Sequence, residues 1–161
     1  MQDFVKIAGQ VLVSCLGVKK DESVLVITDD TRKEIGEALY QAACDLGCEG
    51  LLMVMKEREV SGQEPTKAMK AADVVIAPTA KSLTHTAARI QAAAAGTRVA
   101  TMPGITREMF GKGAMTADYQ EVEKLTARIT DMLTQADKAR IEKDGKVLEI
   151  SLKGRDGVPS P

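Results

Sequence analysis

Apolar and polar positions follow two alternating rhythms along most of the chain. Over residues 2–16, Phe4, Ile7, Val11 and Leu12 recur at helical spacing, and Gly17 follows where a helix commonly ends. "SVLVITDD" is then a compact β-branched run closed by Asp29 and Asp30, the pattern of a strand buried on both faces. The helical rhythm returns in "TRKEIGEALYQAACDLG", which puts Ile35, Leu39, Ala42, Ala43 and Leu46 on one face. Thr31 with Glu34 three residues later predicts a capping box there, and Gly47 ends the element. The alternation repeats. "GLLMVM" predicts a second buried strand, "PTKAMKAAD" a short helix opened by Pro65, and "DVVIAPT" a third strand. "SLTHTAARIQAAAAG" predicts a further crossover helix closed by Gly96, and "TRVATMPG" a fourth strand. "KEREVSGQEP" reads as a charged loop.

Strands that alternate with helices call for a parallel sheet with right-handed crossovers. The expected fold is α/β: a three-layer, Rossmann-like open sheet of about four parallel strands with crossover helices. Two later segments break the pattern. "TADYQEVEKLTARITDMLTQAD" predicts a long amphipathic helix with Val122, Leu125, Ile129 and Leu133 as its stripe and Met132 beside it. "ARIEKDGKVLEISLKG" alternates around Asp144-Gly145, a strong signal for a C-terminal β-hairpin. Residues 1–154 are expected to form a single domain, and "RDGVPSP", residues 155–161, a linker-like tail.

Composition narrows the class. The chain has 161 residues, 44% hydrophobic and 28% charged, enough for a core without metal or disulfide staples. A net charge of -1 provides no basic face for nucleic acid or an anionic membrane. Aromatics are 2% with no Trp, which disfavours a base-stacking surface. No apolar run is long enough to cross a bilayer, and the N-terminus is interrupted by Lys6, Gly9 and Gln10 and lacks a basic leader. The three cysteines, an odd number, predict reduced thiols and a cytoplasmic location. Cys44 and Cys48 have no second Cys/His pair and read as small buried side chains rather than metal ligands.

Ligands of open parallel sheets bind beyond the carboxyl ends of the strands. Here that rule selects the loops around Asp29 and Asp30, around residues 56–64, around residues 78–86, and around residues 101–106. No glycine-rich phosphate loop accompanies Asp29 and Asp30, so capping of the following helix is the favoured reading for them. Lys81, Ser82, Thr84, His85, Thr86 and Arg89 gather charge and hydroxyls at a helix start. Such a start favours an acidic ligand, and equally suits capping and packing. Pro103 and Gly104 are either a turn or part of a site. His85 is the only histidine, and nothing resembling a nucleophile elbow accompanies it or Ser82.

"CLGVKKDESVLVITDD", "AADVVIAPTAKSLTHTAAR" and "AAGTRVATMPGIT" resemble the N-terminal part of the thermophilic metallo-aminopeptidases of the aminopeptidase T or leucyl aminopeptidase type. The resemblance runs from the first helix to the hairpin. Its most specific part is S-x-T-H-T-x-x-R with the later G-x-R and M-P-G, here Ser82, Thr84, His85, Thr86, Arg89, Gly96, Arg98, Met102, Pro103 and Gly104. It implies a cytoplasmic, dimeric exopeptidase in which a second, C-terminal domain holds two divalent ions, zinc or cobalt. No catalytic or metal-ligating residue, and no cofactor, is expected within residues 1–161, where a lone histidine cannot hold a metal pair. The expected roles are substrate or interdomain contacts at Lys81, Ser82, Thr84, His85, Thr86, Arg89, Pro103 and Gly104. A peptide substrate is expected only together with the C-terminal domain. The alternatives are a stand-alone module for a small anion or nucleotide at the strand ends, or an oligomerisation domain. For a homodimer, Lys143, Lys146 and Lys153 discourage pairing through the hairpin edge, which favours contact through a helix.

Overall fold

The computed structural model describes residues 2–57 and 64–159. Residues 58–63 of the expected charged loop therefore lie outside the described residues. The chain divides into two compact units, Met1–Thr116 and Ala117–Pro161, and the span 1–154 expected as one domain runs through both.

The first unit contains α1 (Gln2–Ser14), β1 (Ser23–Asp29), α2 (Lys33–Asp45), β2 (Glu49–Met55), α3 (Thr66–Ala71), β3 (Val74–Thr79), α4 (Ala87–Ala94), β4 (Arg98–Pro103) and α5 (Arg107–Gly111), closed by a 3-10 turn at Gly113–Thr116. Its four strands are parallel in the order β2-β1-β3-β4. The side-chain period of two sorts the central strands into two cores. Val24, Val26, Val74 and Ile76 pack with Val11, Leu12, Ile35 and Leu39 of α1 and α2. Leu25, Ile27, Val75 and Ala77 pack with Met69, Ala88 and Ala92 from α3 and α4. These are the three expected layers. Gly36 lets α2 ride tightly on β1, because a Cβ there would meet Thr28 Cγ2 at 2.6 Å.

Several local readings need correction. β2 is an edge strand and not one buried on both faces; Leu51 and Val54 are 47% and 43% exposed. The capping box does not form. Arg32 occupies the N-cap of α2 without a side-chain bond, because Thr31 is held by Asp29 and Glu34 pairs with Arg107 at 2.6 Å. α5 was not apparent in the sequence. It starts at Thr106, whose hydroxyl accepts from Met109 N at 3.1 Å, and it buries Phe110 completely.

The amino-terminal end of the sheet is closed by charge. Asp73 accepts from the backbone N–H (2.8 Å) and hydroxyl (2.7 Å) of Ser23, while Arg98 donates to the carbonyls of Leu16 and Gly17 and pairs with Glu22 at 2.6 Å. The Arg98 guanidinium holds the Glu22 carboxyl below its usual range, and the Ser23 backbone N–H followed by its hydroxyl does the same for Asp73. A depressed carboxylate pKa gives stability that is present above the unfolded value, about 4, and lost as pH falls through the folded value. The E22Q/D73N double variant should therefore lose Tm at pH 7 and converge on wild type toward pH 3. Parallel Tm curves across that range would contradict it. Asp73 is exposed and Glu22 and Arg98 are partly so, and the difference should shrink in high salt.

The second unit contains α6 (Tyr119–Gln135), β5 (Lys138–Lys143) and β6 (Lys146–Ser151). Asp118 caps α6 by accepting from Gln120 N and Glu121 N. The hairpin forms as expected, turning at Asp144 and Gly145 with φ of 50° and 73°. Ala139 faces Ile150 and Ile141 faces Leu148 across it. The expected stripe of α6 is helical, and the rest of its own unit does not bury it: Val122, Leu125, Ile129 and Leu133 are all exposed there. In the tail, Gly157 N donates to the Thr134 hydroxyl of α6 at 2.9 Å.

Candidate functional site

In the order β2-β1-β3-β4, the chain leaves β1 toward α2 on one face and leaves β3 toward α4 on the other. The strand-end crevice of such a sheet lies at that divergence, between β1 and β3. Asp29 ends β1 there and is only 3% exposed. Its Oδ1 accepts from Thr31 N at 3.0 Å and from the Thr31 hydroxyl, and its Oδ2 accepts from the backbone N–H of Ala80, just beyond β3. Asp30 turns the other way and accepts from Glu57 N at 2.8 Å, after β2. The two strand-end carboxylates thus tie loops together and do not cap α2, which corrects the capping reading. Thr28 adds a third tie, donating to the carbonyl of Pro78 at 2.9 Å. Asp29 has a consequence for binding. A protein carboxylate already takes the N–H donors that an anion would need at this point in the crevice.

The loop from β3 to α4 is held by its own hydroxyls. Thr79 Oγ1 donates to the Lys81 carbonyl at 2.6 Å. Ser82 Oγ donates to Thr84 Oγ1 at 3.0 Å and accepts from Thr84 N at 3.2 Å. Thr84 Oγ1 and Thr101 Oγ1 share a bond of 2.8 Å, which links this loop to β4. Thr86 is the N-cap of α4; its hydroxyl accepts from Arg89 N at 3.2 Å and donates to the Leu83 carbonyl at 2.9 Å. Thr86 is therefore structural. Lys81, Ser82 and His85 are exposed and Arg89 is half-buried. Gly104, at φ +68°, turns the chain beside them, and its N–H donates to the Thr79 carbonyl at 2.8 Å. Pro103 and Gly104 are both exposed.

The structure brings Asp29 to the β3–α4 loop and Ser82, Thr84 and Thr101 into one hydroxyl chain, and it sends Asp30 toward β2. Gly96 and Arg98 of the motif lie at the opposite end of the sheet, where Arg98 serves the Glu22 closure. Sequence reading selected the loop that begins at Thr101 without naming Thr101 as a site residue, and it missed the Ala80 N–H. Thr101 had a signal, a hydroxyl in a largely apolar strand at the start of a selected loop; a backbone donor has none.

The donor set does not fit a pair of divalent cations. Among the described residues, no three His, Cys, Asp or Glu side chains gather in one place. The cysteines are free thiols: Cys15 is exposed and Cys44 and Cys48 half-buried, rather than fully enclosed as expected. Cys48 Sγ donates to the Lys19 carbonyl at 3.3 Å, and burial pushes its thiol above the usual range, which suits packing and not metal binding.

Fold and site together define an open parallel α/β sheet with a preorganised hydroxyl rim at its strand ends, and a separate helix–hairpin unit. No helix of the described residues is long and apolar enough to cross a membrane. No protein-family model and no curated protein matches the sequence. Solved structures do match. The 2,5-dihydroxypyridine dioxygenase of Pseudomonas putida KT2440 aligns with a TM-score of 0.65 and 18% identity, over 92% of this chain and 46% of its own. AmpT from Thermus thermophilus aligns with a TM-score of 0.54 and 13% identity, over 93% of this chain and 53% of its own. The chain spans about half the length of each. At these identities the likeness is one of fold.

Proposed function

We propose that the chain is the substrate-walling lobe of a two-lobed, metal-dependent aminopeptidase, which removes N-terminal residues from peptides. The observation that carries this reading is the position of the motif. The S-x-T-H-T-x-x-R segment, the most specific part of the sequence resemblance, forms the strand-end rim, with Thr84 fixed to Thr101 and with Lys81 and His85 exposed beside it. The likeness to AmpT, a thermophilic aminopeptidase, points the same way. A dioxygenase shares the fold, so the sheet alone does not select a chemistry, and the reading rests on the resemblance of the motif.

In this reading two zinc or cobalt ions belong to the other lobe and supply the polarisation of the peptide carbonyl. The residues of this chain orient and enclose the substrate. Lys81, Ser82, Thr84, His85 and Arg89 are contacts toward the substrate or the other lobe, and Pro103-Gly104 shapes the adjoining turn. The assembly is a cytoplasmic homodimer. The anion- or nucleotide-binding alternative is disfavoured by Asp29, whose carboxylate fills the donors at the switch point. The experiment is to offer a leucine-derived chromogenic amide to the purified chain with zinc or cobalt, and no metal-dependent turnover is expected.

A further inference from the structure

We infer that two copies of this chain pair through the outer edge of β2, antiparallel about a two-fold axis at Leu52, so that their four-stranded sheets join into one. Among the described residues, no strand pairs with the outer edge of β2. Sheet edges in stable monomers are blunted by charge, proline, bulges or short length. The other edges here follow that rule. β4 begins at Arg98 and ends at Pro103, and the hairpin carries Lys138, Lys143 and Lys146. β2 has seven residues, and from Gly50 to Met55 it has no charge and no proline. Its register with β1 is unbroken from Glu49 to Met55, so no bulge twists the edge away.

A second copy suits this edge because the strand is complementary to itself. A two-fold axis normal to the sheet keeps corresponding faces together, so each residue must meet one of its own parity. Centring the axis on Leu52, the middle of β2, pairs all seven residues. Leu52 then meets Leu52 of the second copy, Leu51 meets Met53, and Val54 meets Gly50. Leu51 and Val54, the two strongly exposed apolar residues of β2, lie on opposite faces and are both covered. Glu49 meets Met55, with Lys56 of the second copy one position beyond. Moving the axis to Met53 would set Glu49 against Glu57, and moving it to Leu51 would leave Val54 and Met55 outside the strand pairing. The contact is isologous, the usual form in homodimers. It is a different contact from the helix-mediated one that the sequence suggested.

Sedimentation equilibrium and oxidative cross-linking of the full chain test this. The wild type should be a dimer, and V54K or L51K should raise its dissociation constant by about tenfold or more, because either lysine sets a charge against an uncharged cross-strand partner, Gly50 or Met53 of the second copy, and loses part of its hydration in the seam. Circular dichroism should stay unchanged, since both positions are exposed. In a C15S background, L52C should form a disulfide-linked dimer readily, because directly opposed antiparallel Cα atoms lie about 4.5–5.5 Å apart, within disulfide reach. V54C should not, because its counterpart is several residues away. A monomeric wild type would overturn the inference. So would a dimer indifferent to V54K and L51K, equal cross-linking of both cysteines, or a dimer dissolved only by L125K in α6.

Discussion

Asp29→Ala is expected to lower the unfolding free energy by about 3 kcal/mol, read as a shift of the urea midpoint with little change in slope. Asp29 is buried and accepts from two backbone N–H groups and one hydroxyl. Hydrogen bonds to a charged acceptor are worth about 1.5–3 kcal/mol each, and the donors left behind at Thr31 and Ala80 are partly shielded from water. Alanine removes every acceptor at once. Asn keeps the size and one acceptor oxygen, so Asp29→Asn should cost roughly half as much. The loss should also be local. The Ala80 amide should exchange faster in Asp29→Ala, while amides in the middle of β3 keep their rank order. A loss of less than about 1 kcal/mol would mean that the two strand ends hold together without the carboxylate.

Phe110→Ala should be comparably severe, at about 3–5 kcal/mol. Phe110 is fully buried and meets Phe4 edge-on, with ring centroids 5.3 Å apart and planes at 62°. The Arg107 guanidinium lies 5.4 Å from the centre of the Phe4 ring and also binds Glu34. α5 has five residues, too few to persist on helical propensity, so burial of Phe110 is what keeps it folded. Its loss should release the Phe110 N–H from the Thr106 carbonyl, now 2.9 Å away, and loosen the chain just after Pro103 and Gly104. Phe110→Leu keeps most of the volume and should cost much less. Equal losses for Ala and Leu would show that ring shape, rather than filled space, holds this corner.

The central strands were legible because strands buried on both faces read as unbroken β-branched runs, as in "VLVI" and "DVVIAPT". β2 carries the same kind of run, and composition does not distinguish an edge strand whose exposed residues are Leu51 and Val54. The start of α2 was misread because Thr31-x-x-Glu34 fits a capping box locally, while Asp29, two residues upstream, competes for the same hydroxyl and wins by burial. α5 left no periodic signal, being little more than one turn with a single buried side chain. At the site, the N-cap role of Thr86 follows from local chemistry. The Thr84–Thr101 bond and the Asp29–Ala80 bond join residues 17 and 51 positions apart and depend on strand order, which periodicity leaves open. The α6 stripe was visible as a stripe, but a helical period does not say what covers it.

The division of labour between two lobes is tested most directly by hydrolysis of a leucine-derived chromogenic amide, using the purified chain with added cobalt or zinc, with and without EDTA. A rim that encloses substrate without gathering metal ligands should give rates equal to the metal-only blank, unchanged by the chelator. Turnover above that blank that EDTA abolishes would show that this chain assembles a hydrolytic metal centre from its own side chains, and would end the two-lobe reading.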